Sequence, residues 1–313
     1  MARARLEPVY NPVLMPWFSY HGGHSGQFCH HARDSLEAVV ERAIEVGFTH
    51  YGLSEHCPRY RTEHLFSDEV ELGLDPAALQ REFEAYVAEA LALRQRYADQ
   101  IELLIGFETE RLPPESWAET MRAIRDSAPF DYMVGSVHDV DGVFVDYSEV
   151  QTLALAERFG SIEVLQTRYF EAVADLVETL RPDVVGHIDL IRKFDGPEAC
   201  FSPKVMVHVD RVLEAVRGFG GVLDVNCGAH RRGLSPVYPL PEILERARAM
   251  EIGVTLGDDS HGVATVGAGL NDCMRAIANA GYREVCYLTR VGGGVQWLRA
   301  PLSDVGPRND RRR

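Results

Sequence analysis

Imidazole and carboxylate side chains recur in this chain at one kind of place, just past the end of a short apolar run. His21 and His24 fall in SYHGGHSGQFCHH, with His30 and His31 beyond them; His56 ends LSEH, Glu108 ends LIGFE, His138 ends GSVH and His187 ends VVGH. Asp224 and Asn226 close LDVN, and Asp259 and His261 lie in TLGDDSH. Neutral imidazole nitrogens with bridging carboxylates, and no organised cysteines, form a donor set suited to Zn, Mn or Fe. The set exceeds the four ligands of one tetrahedral site, so two or three divalent transition metals are expected. The chemistry such a cluster serves is hydrolysis, because bound cations acidify water and neutralise developing anionic oxygens.

One histidine at one strand end is ordinarily a structural or exposed group, and the inference rests on the ordered series. Other histidines stand apart from it. His50 precedes an apolar run and should face the opposite end of the fold, and His208 lies inside a helical pattern, so both read as structural; His64 and His230 lie in loops and are not assigned as ligands. The adjacent His30 and His31 cannot easily point the same way, so one of them is spare. Cys29 and Cys57 read as small packing residues, since neither has a conspicuous activating arrangement.

The elements that must position these groups are short β-branched and aromatic runs at 14–20, 49–54, 102–107, 132–137, 183–186, 222–226 and 253–256. Amphipathic stretches separate them at 35–46, 76–97, 115–125, 153–180 (broken), 203–218, 241–250 and 271–280. Asp34 and Glu37 form a capping-box pattern for the first helix and Gly47 its stop. About seven βα units are the pattern of a parallel barrel, whose strands converge their carboxyl ends on one mouth. No linker or composition shift divides the chain, so 1–313 reads as one domain, with 1–13 an extension and 306–313 a disordered tail.

Composition narrows the classes. With 46% hydrophobic and 25% charged residues the chain is an ordinary globular protein. Its net charge of -15 repels phosphate backbones and speaks against nucleic acid as a partner. A small phosphorylated substrate remains compatible, because bound cations reverse the local sign. Six scattered cysteines suit a reducing compartment. The start MARARLEPVYNPVLMPW lacks an apolar h-region and no run approaches a membrane span, so a cytoplasmic location without membrane attachment is expected.

The segment HGGHSGQFCHHARDSLEAVVERAIEVGFTHYGLSEHCPR, followed in order by GFE, GSVH, VGHIDLIRKF and GDDSH, resembles the polymerase-and-histidinol-phosphatase (PHP) superfamily. Within it the likeness is to the histidinol-phosphatase branch, from Trp17 to Gly269. The resemblance implies a distorted seven-stranded (β/α)7 TIM-like barrel with up to three metals at the C-terminal ends of its strands. One metal would take His21 or His24 or both, with Glu108 and Asp259; a second Glu108, His138 and His187; a third His31, His56 and His261. Glu108 would bridge, and Glu108, Asp259 and His261 would serve catalysis. The family opens with His-x-His, whereas two glycines separate His21 from His24 here, so either His21 still reaches the metal or the first site is one ligand short. The final motif, usually Gly-Ser-Asp-Ala-His, appears as GDDSH, and its spacing assigns Asp259 as the ligand.

The implied reaction is hydrolysis of a phosphate monoester, L-histidinol phosphate, in histidine biosynthesis. Arg59, Arg192, Arg231 and Arg232 are candidates for bidentate phosphate contacts, and Asp189, Asp258 or water for protonating the leaving oxygen. The alternatives are a PHP phosphoesterase acting on another small phosphate or nucleotide, and a non-catalytic PHP-like domain that binds a partner. An amidohydrolase with a carboxylated lysine is disfavoured, since Lys193 and Lys204 are not at a suitable strand end.

Overall fold

The computed structural model describes residues 15–196, 198–231, 233 and 237–307. Strands β1 (Phe18–Ser19), β2 (His50–His56), β3 (Glu102–Glu108) and β4 (Val134–Gly135) come first, and β5 (Asp139–Val140) and β6 (Val143–Phe144) form a small antiparallel hairpin. Then follow β7 (Val184–Val185), β8 (Val222–Asn226), β9 (Gly253–Gly257), and a second hairpin of β10 (Glu284–Val291) and β11 (Gly294–Pro301). The sheet order is β1-β2-β3-β4-β7-β8-β9, every pairing parallel. The Tyr20 N–H donates to the Leu256 carbonyl at 3.0 Å and the Asp259 N–H to that of His21 at 2.7 Å. The first strand thereby meets the last, and the sheet rolls into the nearly closed seven-stranded barrel that the strand pattern leads one to expect.

Several boundaries differ from the sequence reading. The first strand is ordered as a strand only over Phe18–Ser19, and Leu14 lies outside the described residues. The first helix, Leu36–Glu45, is capped by Ser35, whose Oγ accepts from the Ala38 N–H. Asp34 has φ 66° and instead accepts from the Val263 N–H at 2.9 Å, tying the first loop to the last. The broken stretch resolves into Glu149–Phe159 and Ile162–Leu180, because Gly160 takes φ 97° and Ser161 caps the second helix. Of the expected 306–313 tail, residues 308–313 are not described, as the 1–13 extension is not, while the Gly306 N–H donates to the Pro16 carbonyl at 3.1 Å.

The barrel interior is filled rather than hollow below the site. A Cβ at Gly52 would sit 2.2 Å from the Tyr132 hydroxyl and one at Gly106 2.6 Å from its ring, so these two glycines on neighbouring strands make room for that side chain. Period-two alternation then puts Ser54 and His56, and likewise Glu108, on the same inward face above it. The terminal hairpin closes the other end: Glu102, first in β3, accepts from the Arg290 N–H and the Thr289 hydroxyl, and His50, first in β2, packs against Tyr287 at 5.4 Å. One apolar cluster runs from Trp17 through the strands and helices to Val305. Among the described residues no helix is long and apolar enough to cross a membrane.

Candidate metal centre

Glu108, at the last position of β3 and 1% exposed, is the hub of the barrel mouth. Its Oε1 lies 3.0 Å from His21 Nε2 and 3.3 Å from the Nε2 atoms of both His138 and His187. Its Oε2 lies 3.0 Å from His56 Nδ1 and 3.8 Å from His24 Nε2. The two-glycine spacer makes the double approach from the first loop possible. Gly22 and Gly23 have φ values of 138° and 74°, and a Cβ at Gly22 would stand 2.2 Å from an Asp258 carboxylate oxygen. A side chain at Gly22 would therefore collide, and the tight loop brings both His21 and His24 to Glu108.

Behind the histidines stands a second set of carboxylates. His21 Nδ1 donates to Asp224 at 2.7 Å, His24 Nδ1 to Glu55 at 2.9 Å, and His138 Nδ1 to Glu110 at 3.0 Å. Each bond fixes one tautomer and leaves the Nε2 lone pair aimed at the mouth, the arrangement by which outer carboxylates orient metal-binding histidines. The electrostatics follow. Burial opposes charge on His21, but Glu108 and Asp224 outweigh it and hold its pKa well above the ordinary histidine value. His138 is raised in the same way by Glu110 and Glu108, and His24 by Glu55. Burial, reinforced by the charge of His24, pushes His56 down to about 4 and His261 well below the ordinary value. Burial would raise Glu108, yet His21, His56 and His138 keep it well below the usual carboxylate range.

The residues fit a group of cations. His24 Nε2, His56 Nε2, His187 Nδ1, Glu110 Oε1 and Asp224 Oδ1 are buried without hydrogen-bond partners. Each such atom costs ~1–3 kcal/mol when left unpaired, and their gathering at one mouth is what divalent metals would offset. Among the described residues, three sets each bring their donor atoms within 4.8 Å of one another: His21, His24 and Glu108; Glu108, His138 and His187; and His24, Cys29, His56 and His261. Glu108 belongs to two of them, as a bridging ligand must. The site opens into a cavity of about 400 Å³ that also touches Asp259, Phe66, Phe144, Tyr147, Tyr238, Asp68, Asp146 and Lys193.

A PHP domain model matches residues 21–227. The chain belongs to the PHP family. A probable histidinol-phosphatase of Schizosaccharomyces pombe is 38% identical over 85% of this chain and 88% of its own length. The histidinol-phosphatase of Saccharomyces cerevisiae is 26% identical over 86% and 90%. The Lactococcus lactis histidinol phosphate phosphatase, solved with Zn, L-histidinol and phosphate, shares the fold at a TM-score of 0.66 and 22% identity, over 90% of this chain and 98% of that one.

Within this PHP barrel most of the expected residues converge, and some do not. Asp259, at φ 47°, borders the cavity with an oxygen 3.7 Å from His261 Nδ1, and His21, His261 and His187 overcome burial to keep its pKa well below the carboxylate range. The third donor set differs from the one the resemblance implied. His24 and Cys29 stand with His56 and His261, whereas the His31 side chain is 40% exposed at the rim, its ring 5.3 Å from that of His56. His30 also borders the cavity but is tied to Glu82 at 3.0 Å. His50, His64, His208 and His230 lie away from it, the last paired with Asp272 at 3.1 Å.

The arginines are a correction. Arg59 pairs with Glu69 and lies 4.5 Å over the Phe66 ring. Arg192, fully buried, donates to Asp189 and to the Val237 carbonyl, each at 2.6 Å, and lies 4.3 Å over Tyr238. Neither borders the cavity; both brace aromatic rings that do. The Arg231 side chain and Arg232 lie outside the described residues. Asp189 is bound to Arg192 and the Leu240 N–H, and Asp258 accepts from Tyr51 at 3.1 Å and the Gly267 N–H at 2.8 Å; neither borders the cavity. Sequence reading missed Glu55 and Glu110, which flank assigned ligands in SEH and FETE, and it missed Lys193, the one lysine or arginine bordering the cavity among the described residues.

Proposed function

We propose that this protein hydrolyses L-histidinol phosphate to L-histidinol and phosphate, using two or three divalent metals drawn from Zn, Mn and Fe. The observation that carries the reading is a buried carboxylate, Glu108, ringed by five histidines at the floor of an aromatic-walled cavity, in a chain 38% identical to a probable histidinol-phosphatase. Bound cations supply Lewis acidity, neutralising phosphoryl oxygens and acidifying water. His21, His24, His56, His138, His187, His261, Glu108 and Asp259 hold them, and Asp224, Glu55 and Glu110 fix the imidazole orientations. Phe66, Phe144 and Tyr238 offer rings against which the substrate imidazole packs and which keep bulk water away from the phosphate. Asp68 matches the substrate ammonium, and Lys193, whose Nζ is held 2.7 Å from the Asp146 carbonyl and 3.1 Å from its Oδ2, borders the cavity where the phosphate would sit.

The enzyme acts as one domain in a reducing, cytoplasmic setting, in keeping with six cysteines that are all free. A substrate panel run after metal reconstitution, with metal content measured on the same sample, tests the reading. Phosphate release from histidinol phosphate should far exceed that from sugar phosphates or nucleotides. Activity chiefly on nucleotides would remove the histidinol assignment, and full metal without phosphatase activity would favour a partner-binding domain. His21→Ala should lower activity about as severely as His24→Ala.

A further inference from the structure

We propose that Arg59 and Glu69 form a buried tether that holds the helix Ser67–Glu71 against the cavity, and that as positioning residues they set selectivity for the organic half of the substrate. The inference deepens the phosphatase reading above and rests on it. The helix is five residues long, too short to stand alone in water, so tertiary contacts must hold it. Apolar packing does not: Val70 and Leu72 are 57% and 61% exposed, and the one buried residue of the helix is Glu69, at 2%. A carboxylate thus takes the place that an apolar anchor ordinarily fills. It is matched by buried Arg59, which donates to Glu69 through Nε, at 3.3 Å, and through Nη2, while its Nη1 donates to the Cys57 carbonyl at 3.1 Å. A two-pronged guanidinium pair fixes direction as well as distance.

This segment brings Phe66, Ser67 and Asp68 to the cavity wall. Glu69 Oε2 accepts from the Phe66 N–H at 2.8 Å, and the Arg59 guanidinium lies 4.5 Å over the Phe66 ring, so the pair grips Phe66 by backbone and ring together. That ring meets Phe144 of the β5–β6 hairpin at 4.8 Å, and the Ser67 hydroxyl bonds that of Tyr147. Asp68, the carboxylate proposed for the substrate ammonium, rides on the same helix. The tether therefore governs groups that recognise ring and ammonium, whereas the ligands gathered at Glu108 stand on other elements. Breaking it should weaken the hold on the organic half and leave phosphoryl chemistry in place.

Glu69→Gln and Arg59→Met, each measured as metal-loaded enzyme, test this. On histidinol phosphate kcat/KM should fall roughly 10–100-fold, the scale of a misplacement of about 1 Å, chiefly through KM. On glycerol 1-phosphate, which has neither ring nor ammonium, it should change by less than about twofold, since only binding of the organic half is removed, with metal content as in wild type. Hydrogen exchange on wild type, which needs no variant, should slow over residues 66–73 when L-histidinol and phosphate are added. In either variant it should quicken there and not in β2 or β3. Equal losses on both esters, or lost metal, would reduce the pair to a structural brace and overturn the proposal, as would exchange over 66–73 that responds to neither ligand nor substitution. If another ester proves to be the preferred substrate, the selective loss should appear on that ester, which removes histidinol phosphate and leaves the tether standing.

Discussion

Asp224 offers the sharpest test of how the barrel orients its histidines. Its carboxylate receives the Nδ1 proton of His21 at 2.7 Å with both groups out of solvent, and Gly257 leaves it room, since a Cβ there would fall 2.1 Å from Asp224 Oδ1. A hydrogen bond to a buried charged group is worth ~1.5–3 kcal/mol. At ~1.4 kcal/mol per tenfold change, Asp224→Asn should weaken metal binding at His21 roughly 10–100-fold, the range typical of outer partners of metal ligands. Chelator-competition titration and kcat/KM for phosphate release should fall together, with circular dichroism unchanged. In the metal-free protein the variant should also alter the pH dependence of stability. His21 has a raised folded-state pKa, so its contribution is present below the ordinary histidine value and lost as pH rises through the raised one; removing the carboxylate flattens that loss. A variant that binds metal and turns over like wild type would refute the reasoning and assign the orientation of His21 to Asn226 and the backbone.

Other perturbations separate structural from functional charges. Burial pushes the Asp139 carboxyl up from 3.8 to about 6, so it stabilises the fold least at high pH. The raised value means stability is intact below the unfolded pKa and is lost as pH rises through about 6, by up to ~3 kcal/mol. Asp139→Asn should accordingly stabilise the metal-free protein in urea melts at pH 8 and have no effect below pH 4. Arg192→Ala strips a fully buried partner from Asp189 and should cost ~3–5 kcal/mol in unfolding free energy; a loss under 1 kcal/mol would contradict the bracing role. Lys193→Ala should instead raise KM about tenfold or more with a far smaller change in unfolding midpoint. Gly228→Ala places a Cβ 2.2 Å from Asp259 Oδ2, and should lower metal content and kcat in a protein that still folds.

The barrel and its mouth were legible because parallel strands make chain order and spatial order agree. Residues following successive apolar runs must meet, and Glu108 with its five histidines does so. What was hidden depends on facing rather than on order. Glu55 precedes His56 by one residue and so leaves the strand on the other face, where only the fold shows that His24 comes to meet it. Arg192 looked like a phosphate contact because an arginine near a mouth is the common case; its ion pair with Asp189 three residues earlier needs a turn of 3-10 helix that the sequence did not announce. The last hairpin did carry a signal, alternating residues on either side of VGGG, which the search for βα units passed over. Cys29 showed no conspicuous neighbour in the sequence; His24 shares its loop, and His56 and His261 reach it from two other strand ends.

The carboxylates behind the histidines have a further meaning for how this enzyme acquires its cofactors. Because they keep His21, His24 and His138 raised in pKa, protons hold the cationic places at the mouth until metals come. Loading is then an exchange of one kind of cation for another in a socket that is already shaped, not an assembly around the incoming ion. Calorimetry in buffers of different ionisation enthalpy should register protons released with each metal, and uptake should steepen with rising pH. An enzyme built this way is filled or emptied by its surroundings, with acidity acting as the competitor at the places that His21, His24 and His138 guard.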